Sequence, residues 1–269
     1  VLDRPSWAPK YIDLEKPSAA RIYDYLLGGA CNSAADRTVA KEIMSVLPEA
    51  RRIAQDNRAF LRRTVTYLVS QGVRQFIDIG SGVPTAGNVH EIAQRADREC
   101  RVVYVDHDPI AIAHGELLLR DNDHSCAFLA DFRSPDSVLR SPKTTKLIDF
   151  GQPVALLMFL LLHFVPDQEH PAALIARYRQ ALAPGSYLAL SHPTLEGVTE
   201  GVFTATDIVR SSVDEVYPRD AAQVLRLAEG FEPVPPGLVF TQQWRPDGPP
   251  EARPPDGPEV VYGLVARKS

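Results

Sequence analysis

The chain has 269 residues, 45% of them hydrophobic and 23% charged, with a formal net charge of −5. That composition can build a core and excludes a wholly disordered chain, and the acidic balance argues against a protein whose main work is gripping nucleic-acid phosphate. Cys31, Cys100 and Cys126 are odd in number and far apart with no CxxC pair, which argues against a disulfide framework or a thiolate zinc centre and suits a reducing compartment.

Residues 1–16, with Pro5 and Pro9, read as an N-terminal arm. A helix is predicted after Pro17, with Ser18 as its N-cap and Gly28-Gly29 as its stop. A second fits 36–47, closed by Pro48. A third fits 49–71, where Phe60, Leu61, Val65 and Leu68 form an apolar stripe. Residues 17–72 therefore predict a helical cap or lid. From residue 73 the rhythm changes to alternating strands and helices. Strands are expected at 75–79, 101–105 and 126–130, with helices at 85–96 and 110–119 between them. The apolar run 154–162, bounded by Pro153 and Pro166, reads as a central strand buried on both faces. A helix at 172–182, a strand at 187–190 and a helix at 221–229 follow. Strand-like segments at 238–244 and 260–266 flank a Pro-rich hairpin loop at 245–258. The alternation is that of an α/β domain over 73–269, with a doubly wound, mostly parallel sheet. The longest apolar run, Val154 to Leu162, falls short of the roughly 20 residues a membrane helix needs, and no secretory signal opens the chain at Val1. The expectation is a soluble, cytoplasmic protein with neither membrane nor nucleic-acid partners.

Three strand ends carry chemistry. The first is Asp78-Ile79-Gly80-Ser81-Gly82. Its glycines let backbone approach a ligand where a Cβ would block it. It departs from the dinucleotide fingerprint, because Thr85 stands where the third glycine belongs. Asp78, two residues before the first glycine, is instead what S-adenosylmethionine sites place near the ammonium end of the ligand. The second is Asp106, followed by His107 and Asp108-Pro109; a carboxylate at that strand tip can accept from both ribose hydroxyls. Asp108 reads as an N-cap with Pro at N1. The third is Asp131-Phe132, placed to meet an adenine edge. His163, just past the central strand, reads either as a general base toward an acceptor or as a structural histidine. Tyr23, Tyr25, Asn32 and Asp36 are candidates for a lid or substrate face, and Arg58 for facing a ligand carboxylate. His90-Glu91 opens like HExxH, but Gln94 stands where the second histidine belongs, so no metal is expected.

With the runs 20–29, Asn32, 35–37, 57–63, 78–85, 87–91, 103–106, 108–109, 162–165 and 182–187, the chain resembles an actinobacterial family of class I S-adenosylmethionine-dependent methyltransferases, long catalogued only as a domain of unknown function. The resemblance runs from about Pro17 to Trp244. It implies a seven-stranded Rossmann-like fold with an N-terminal helical cap, bound S-adenosylmethionine and a small-molecule methyl acceptor. The chain departs from the family pattern at Ala30, Cys31 and Ser33 and in a short 194–220 segment, both expected to shape the acceptor pocket. Two alternatives remain: a non-catalytic S-adenosylmethionine-binding module, and an NAD-linked oxidoreductase, which lacks its third glycine and any YxxxK pair.

Overall fold

The computed structural model describes residues 13–84, 87–248 and 258–269. Most of the arm (1–12), residues Thr85 and Ala86, and most of the Pro-rich loop (249–257) lie outside the described residues.

The chain opens with three helices, α1 (Ala19–Leu26), α2 (Ala34–Val46) and α3 (Ala50–Ser70). Ser18 takes the extended N-cap conformation, but its hydroxyl donates to Asp108 instead of capping α1. At α2 a capping box forms: the Ser33 hydroxyl accepts the Asp36 N–H and the Asp36 carboxylate accepts the Ser33 N–H. The apolar stripe of α3 lies against the sheet, with Phe60, Leu61, Val65 and Leu68 in one cluster with Phe76, Val102 and Leu157. So α3 belongs to the layer that covers the sheet, while α1 and α2 sit above it.

The strands are β1 (Gln75–Ile79), β2 (Arg101–Asp106), β3 (Ser125–Leu129), β4 (Ala155–Phe159), β5 (Tyr187–Pro193), β6 (Glu232–Pro233), β7 (Val239–Phe240) and β8 (Val261–Arg267). They form one sheet in the order β3-β2-β1-β4-β5-β8-β6, with β7 also against β8. The first five are parallel and β8 runs antiparallel to β5. The mostly parallel, doubly wound α/β architecture is therefore present, with eight strands where seven were expected. The extra count has a chemical cause. β6 and β7 both pair with β8 and are separated by Pro235-Pro236-Gly237. Proline has no N–H to give the ladder, so one edge position is held by two short pieces.

Helices α4 (Val89–Ala96), α5 (Pro109–Leu118), α6 (Pro135–Leu139), α7 (Pro142–Leu147), α8 (Pro171–Ala181), α9 (Glu200–Ser212) and α10 (Ala221–Leu227) complete the chain. The helix expected from 85 begins at Val89, because Gly87 takes φ +79° and Asn88 stays extended. The central strand stops earlier than expected. Leu160 takes φ +46° and its N–H goes to Ser191, so His163 lies on a 3₁₀ turn (Leu162–Phe164) beyond the sheet. One face of the sheet packs Ile77, Val103, Leu156 and Leu188 against α6, α7, α8 and α10. The other packs against α3, α4 and α5. A third cluster joins α1 and α2 to α9 through Ile22, Val39, Ala40, Ile43, Val202 and Ala205. Gly201 permits this approach, since a Cβ there would come within 2.4 Å of the Val46 carbonyl oxygen. The short 194–220 segment thus supplies α9, the third helix over the sheet's upper edge. Among the described residues no helix is long and apolar enough to cross a membrane.

Candidate functional site

Side chains alternate along a strand, so Asp78 shares a face with Phe76 and points toward α3. Asp78 and Arg58 line one cleft there with Ser81, Gly82, Asn88 and Tyr104. Asp78 is buried, and no described residue donates a hydrogen bond to it. Burial pushes its carboxyl up to about 7; the nearby Arg58 charge opposes that and Asp106 adds to it. Arg58 is itself half-committed. Its Nη2 donates to Asn88 Oδ1 at 3.2 Å, while its Nε is buried without a partner. Asn88 lies in a run that carries the family resemblance, and Glu91 closes the first turn of α4 by accepting the Gly87 and Asn88 N–H groups.

The turn after β1 needs its glycines. Gly80 (φ +71°) and Gly82 (φ +65°) both lie in the left-handed region. At Gly80 a Cβ would meet Leu161 at 2.7 Å, whereas at Gly82 nothing lies within 4 Å. The space beside Gly82 is open toward the cleft. The N–H groups of Gly80 and Ser81 go to the Val105 carbonyl, which ties the turn to β2. The Gly82 N–H donates to Asp106 Oδ2 at 2.7 Å, and the Asp108 N–H donates to Oδ1 at 2.8 Å. Each oxygen keeps a second lone pair. Asp106 is buried, which raises its pKa against these two N–H bonds. His107 is exposed, with Nδ1 3.6 Å from Asp106 Oδ1.

Asp108 caps α5 by accepting the Ile110 N–H, with Pro109 at N1. It also accepts the Ser18 hydroxyl at 2.8 Å and lies 3.8 Å from Arg21 Nη1. The cap is thereby fastened one peptide away from His107 and two from Asp106. Past β3, Asp131 is exposed and accepts the Arg133 N–H, whereas Phe132 is buried in the core with its carbonyl bonded to Tyr178. The sheet order β3-β2-β1 places these three strand ends side by side.

The cap candidates are mostly engaged with other residues of the three N-terminal helices and the turns between them. Tyr23 donates to the Ala54 carbonyl and accepts from Asn57 Nδ2, and burial raises its pKa. The Arg51 guanidinium lies over the Tyr25 ring at 5.1 Å. Asn32 donates to Asp24 and Gly29 and accepts from Arg37. Asp36 is fully buried, and its two oxygens accept from Ser18, Arg21 and Ser33. The structure gathers Arg58 with Asp78 but commits Asp36 to holding α1 against α2.

His163 is half-buried, and its Nδ1 is sealed from solvent without a partner. Its ring lies 4.0 Å from Phe164 and 6.1 Å from His192. Burial, His192 and Arg219 hold its pKa well below the ordinary histidine range. His192 and Arg219 were not legible as partners, since 27 positions separate them. Among the described residues no cluster of three His, Cys, Asp or Glu is placed to hold a metal.

A family model described as S-adenosyl methyltransferase matches residues 5–269. The chain belongs to the S-adenosyl methyltransferase family. Two crystal structures agree along its whole length. One is a candidate methyltransferase from Thermobifida fusca YX, with 37% identity, TM-score 0.91 and coverage of 98% of this chain and 100% of that one. The other is a duf574 family protein from Streptomyces avermitilis ma-4680, with 35% identity, TM-score 0.91 and coverage of 96% and 99%. At the level of fold alone the methyltransferase is also similar to human N-acetylserotonin methyltransferase solved with S-adenosylmethionine, at 14% identity, TM-score 0.52 and coverage of 95% and 63%. No curated protein matches the chain. S-adenosylmethionine is the cofactor of this methyltransferase, and the oxidoreductase alternative falls. The residues present fit that cofactor: a buried, unpartnered guanidinium N–H, an uncommitted carboxylate, open space at Gly82 and a strand-tip carboxylate stand along one edge.

Proposed function

We propose that this methyltransferase takes the methionine end of S-adenosylmethionine between Arg58 and Asp78. Gly80, Ser81 and Gly82 form the backbone turn beneath it, Asp106 accepts from the ribose with His107 at its rim, and Asp131 and Phe132 meet the adenine. The observation that carries the reading is the Arg58–Asp78 cleft. Arg58, with a buried N–H lacking a partner, and Asp78, to which no described residue donates, line one cleft, which is the charge pattern an amino-acid zwitterion completes. The ammonium of such a ligand offsets the desolvation that holds Asp78 up.

When bound, the cofactor supplies an electrophilic methyl group on a sulfonium. The work of the chain's own residues is alignment and exclusion of water. The acceptor is a small molecule that meets the site between His163 and the cap of α1, α2 and α9, with Tyr23, Tyr25, Asn32 and Asp36 shaping that cap. His163 stays neutral, so it suits hydrogen bonding to the acceptor better than storing its proton.

Titration calorimetry with S-adenosylhomocysteine and 5′-methylthioadenosine tests the assignment, because the second ligand lacks the amino-acid end. Arg58→Gln is expected to weaken the first by about 10–100-fold, as loss of a charged hydrogen bond requires, and to leave the second unchanged. Asp106→Ala is expected to weaken both. Equal losses of both ligands in Arg58→Gln would overturn the placement of the amino-acid end.

A further inference from the structure

Arg219, which is 4% exposed, holds both ends of the turn that carries His163. Its Nη1 donates to the Leu162 carbonyl at 2.8 Å and meets His192 Nε2 at 3.0 Å. Its Nη2 donates to the Val165 carbonyl and to Asp167 Oδ1, both at 2.7 Å. Its Nε reaches the same Asp167 oxygen at 3.1 Å. All five guanidinium N–H groups therefore have partners, and those partners bracket His163 on both sides.

The His192 contact also fixes a tautomer. A guanidinium only donates, so His192 Nε2 accepts and its ring proton sits on Nδ1. There the Pro193 carbonyl is 2.8 Å away and accepts it. A second proton on His192 would have to enter between its ring and a cation. Burial and that cation hold His192 down to about 4, with Asp167 opposing.

We propose that Arg219 is a positioning residue for methyl transfer: it fixes the 162–165 turn and holds His192 in its Nδ1–H form, so that His163 meets the acceptor held in one place. This rests on the reading that His163 faces the acceptor. The charged and titratable groups around the pair are few. His163 and His192 face each other from the turn and β5. Arg219 stands between the turn and α10, Asp167 follows the turn, and Arg133 donates to the Phe164 carbonyl at 3.5 Å. Arg219 is the buried charge among them, and Asp167, 70% exposed, opposes it at His192.

Histidine NMR titration tests this without knowledge of the acceptor. The protein is labelled on its seven histidines, with His163 and His192 assigned from His163→Asn and His192→Asn. In the wild type both midpoints are expected well below the ordinary value of about 6.5, with His192 in the Nδ1–H form. Arg219→Gln is expected to raise the proton affinity of His192 at least tenfold, to mix its tautomers and to move His163 in the same direction. Arg219→Lys, which keeps the charge, is expected to leave both rings neutral. Unchanged titrations in Arg219→Gln, or a His163 protonated near pH 7 in the wild type, would sink the proposal. If Arg219→Gln loses its cooperative melt, Asp167→Asn decides: removal of the opposing carboxylate is expected to lower the His192 midpoint further, and no shift counts against Arg219. Failure of the wild type to bind S-adenosylhomocysteine would instead remove the cofactor assignment while leaving these titrations readable.

Discussion

Gly80 and Gly82 share a left-handed backbone but differ in their surroundings, and substitution should separate stability from binding. Gly80→Ala drives a methyl group into Leu161 and is expected to lower the melting temperature sharply. Gly82→Ala meets nothing within 4 Å and bears only the conformational cost of about 1–2 kcal/mol. It places its methyl where the ligand approaches, so a small loss of stability with a large loss of S-adenosylhomocysteine affinity is expected from melting and calorimetry.

Asp78 makes the converse case. Its carboxyl sits at about 7 when folded, above its usual value of about 3.9. The folded protein therefore holds a proton that the unfolded chain releases on the way up from acid pH. Stability falls as pH rises through that window and levels off above about 7, by a total on the order of 4 kcal/mol. Asp78→Asn is expected to melt several degrees higher than the wild type at pH 8, to match it near pH 4, and to bind S-adenosylhomocysteine more weakly. A wild-type melting curve flat from pH 4 to 8 would remove this account. At this scale the sequence was informative where chemistry is contiguous. Asp78, Gly80, Gly82 and Asp106 are visible because a strand, a turn and the next strand tip carry them in order. His192 and Arg219 were not, because their meaning lies in partners far along the chain.

Among the elements, the cap depends on one buried ion pair. Arg21 Nε lies 2.7 Å from Asp36 Oδ2, with both side chains nearly sealed from water. Removal of one partner from a buried pair costs about 3–5 kcal/mol. Asp36→Ala also loses the α2 capping box, so a fall of about 10 °C in calorimetric melting temperature is expected. The double variant Arg21→Met, Asp36→Leu is expected to recover part of it, since replacing both charges by apolar groups leaves none unpaired. The legible elements were those with long periodicity or strong punctuation, such as α3 and the strand between Pro153 and Pro166. Helices α6 and α7 run five and six residues, too short for a 3.6-residue period to register. Helix α9 went unread because its identity depends on docking: Val202, Ala205 and Gly201 form a flat face that only α2 explains.

Over the whole molecule, the site draws on every layer. The sheet edge provides the carboxylates, the α3 layer provides Arg58, and the cap is fastened at Asp108 beside Asp106, the proposed ribose partner. Ligand bound across such layers stabilises all of them together. S-adenosylhomocysteine at one hundred times its Kd is expected to add about 2.7 kcal/mol, seen as a rise of about 5–10 °C in one undivided transition.

The interrupted strand at Pro235-Pro236-Gly237 bears on how these molecules behave toward one another. An open sheet ends in a row of free N–H and C=O groups, and a neighbouring chain can zip onto it. Here the margin opposite β3 consists of two-residue fragments on either side of a proline pair, too short to template a new strand. The same break that gives the sheet its uneven strand count also blunts that margin as a place to polymerise.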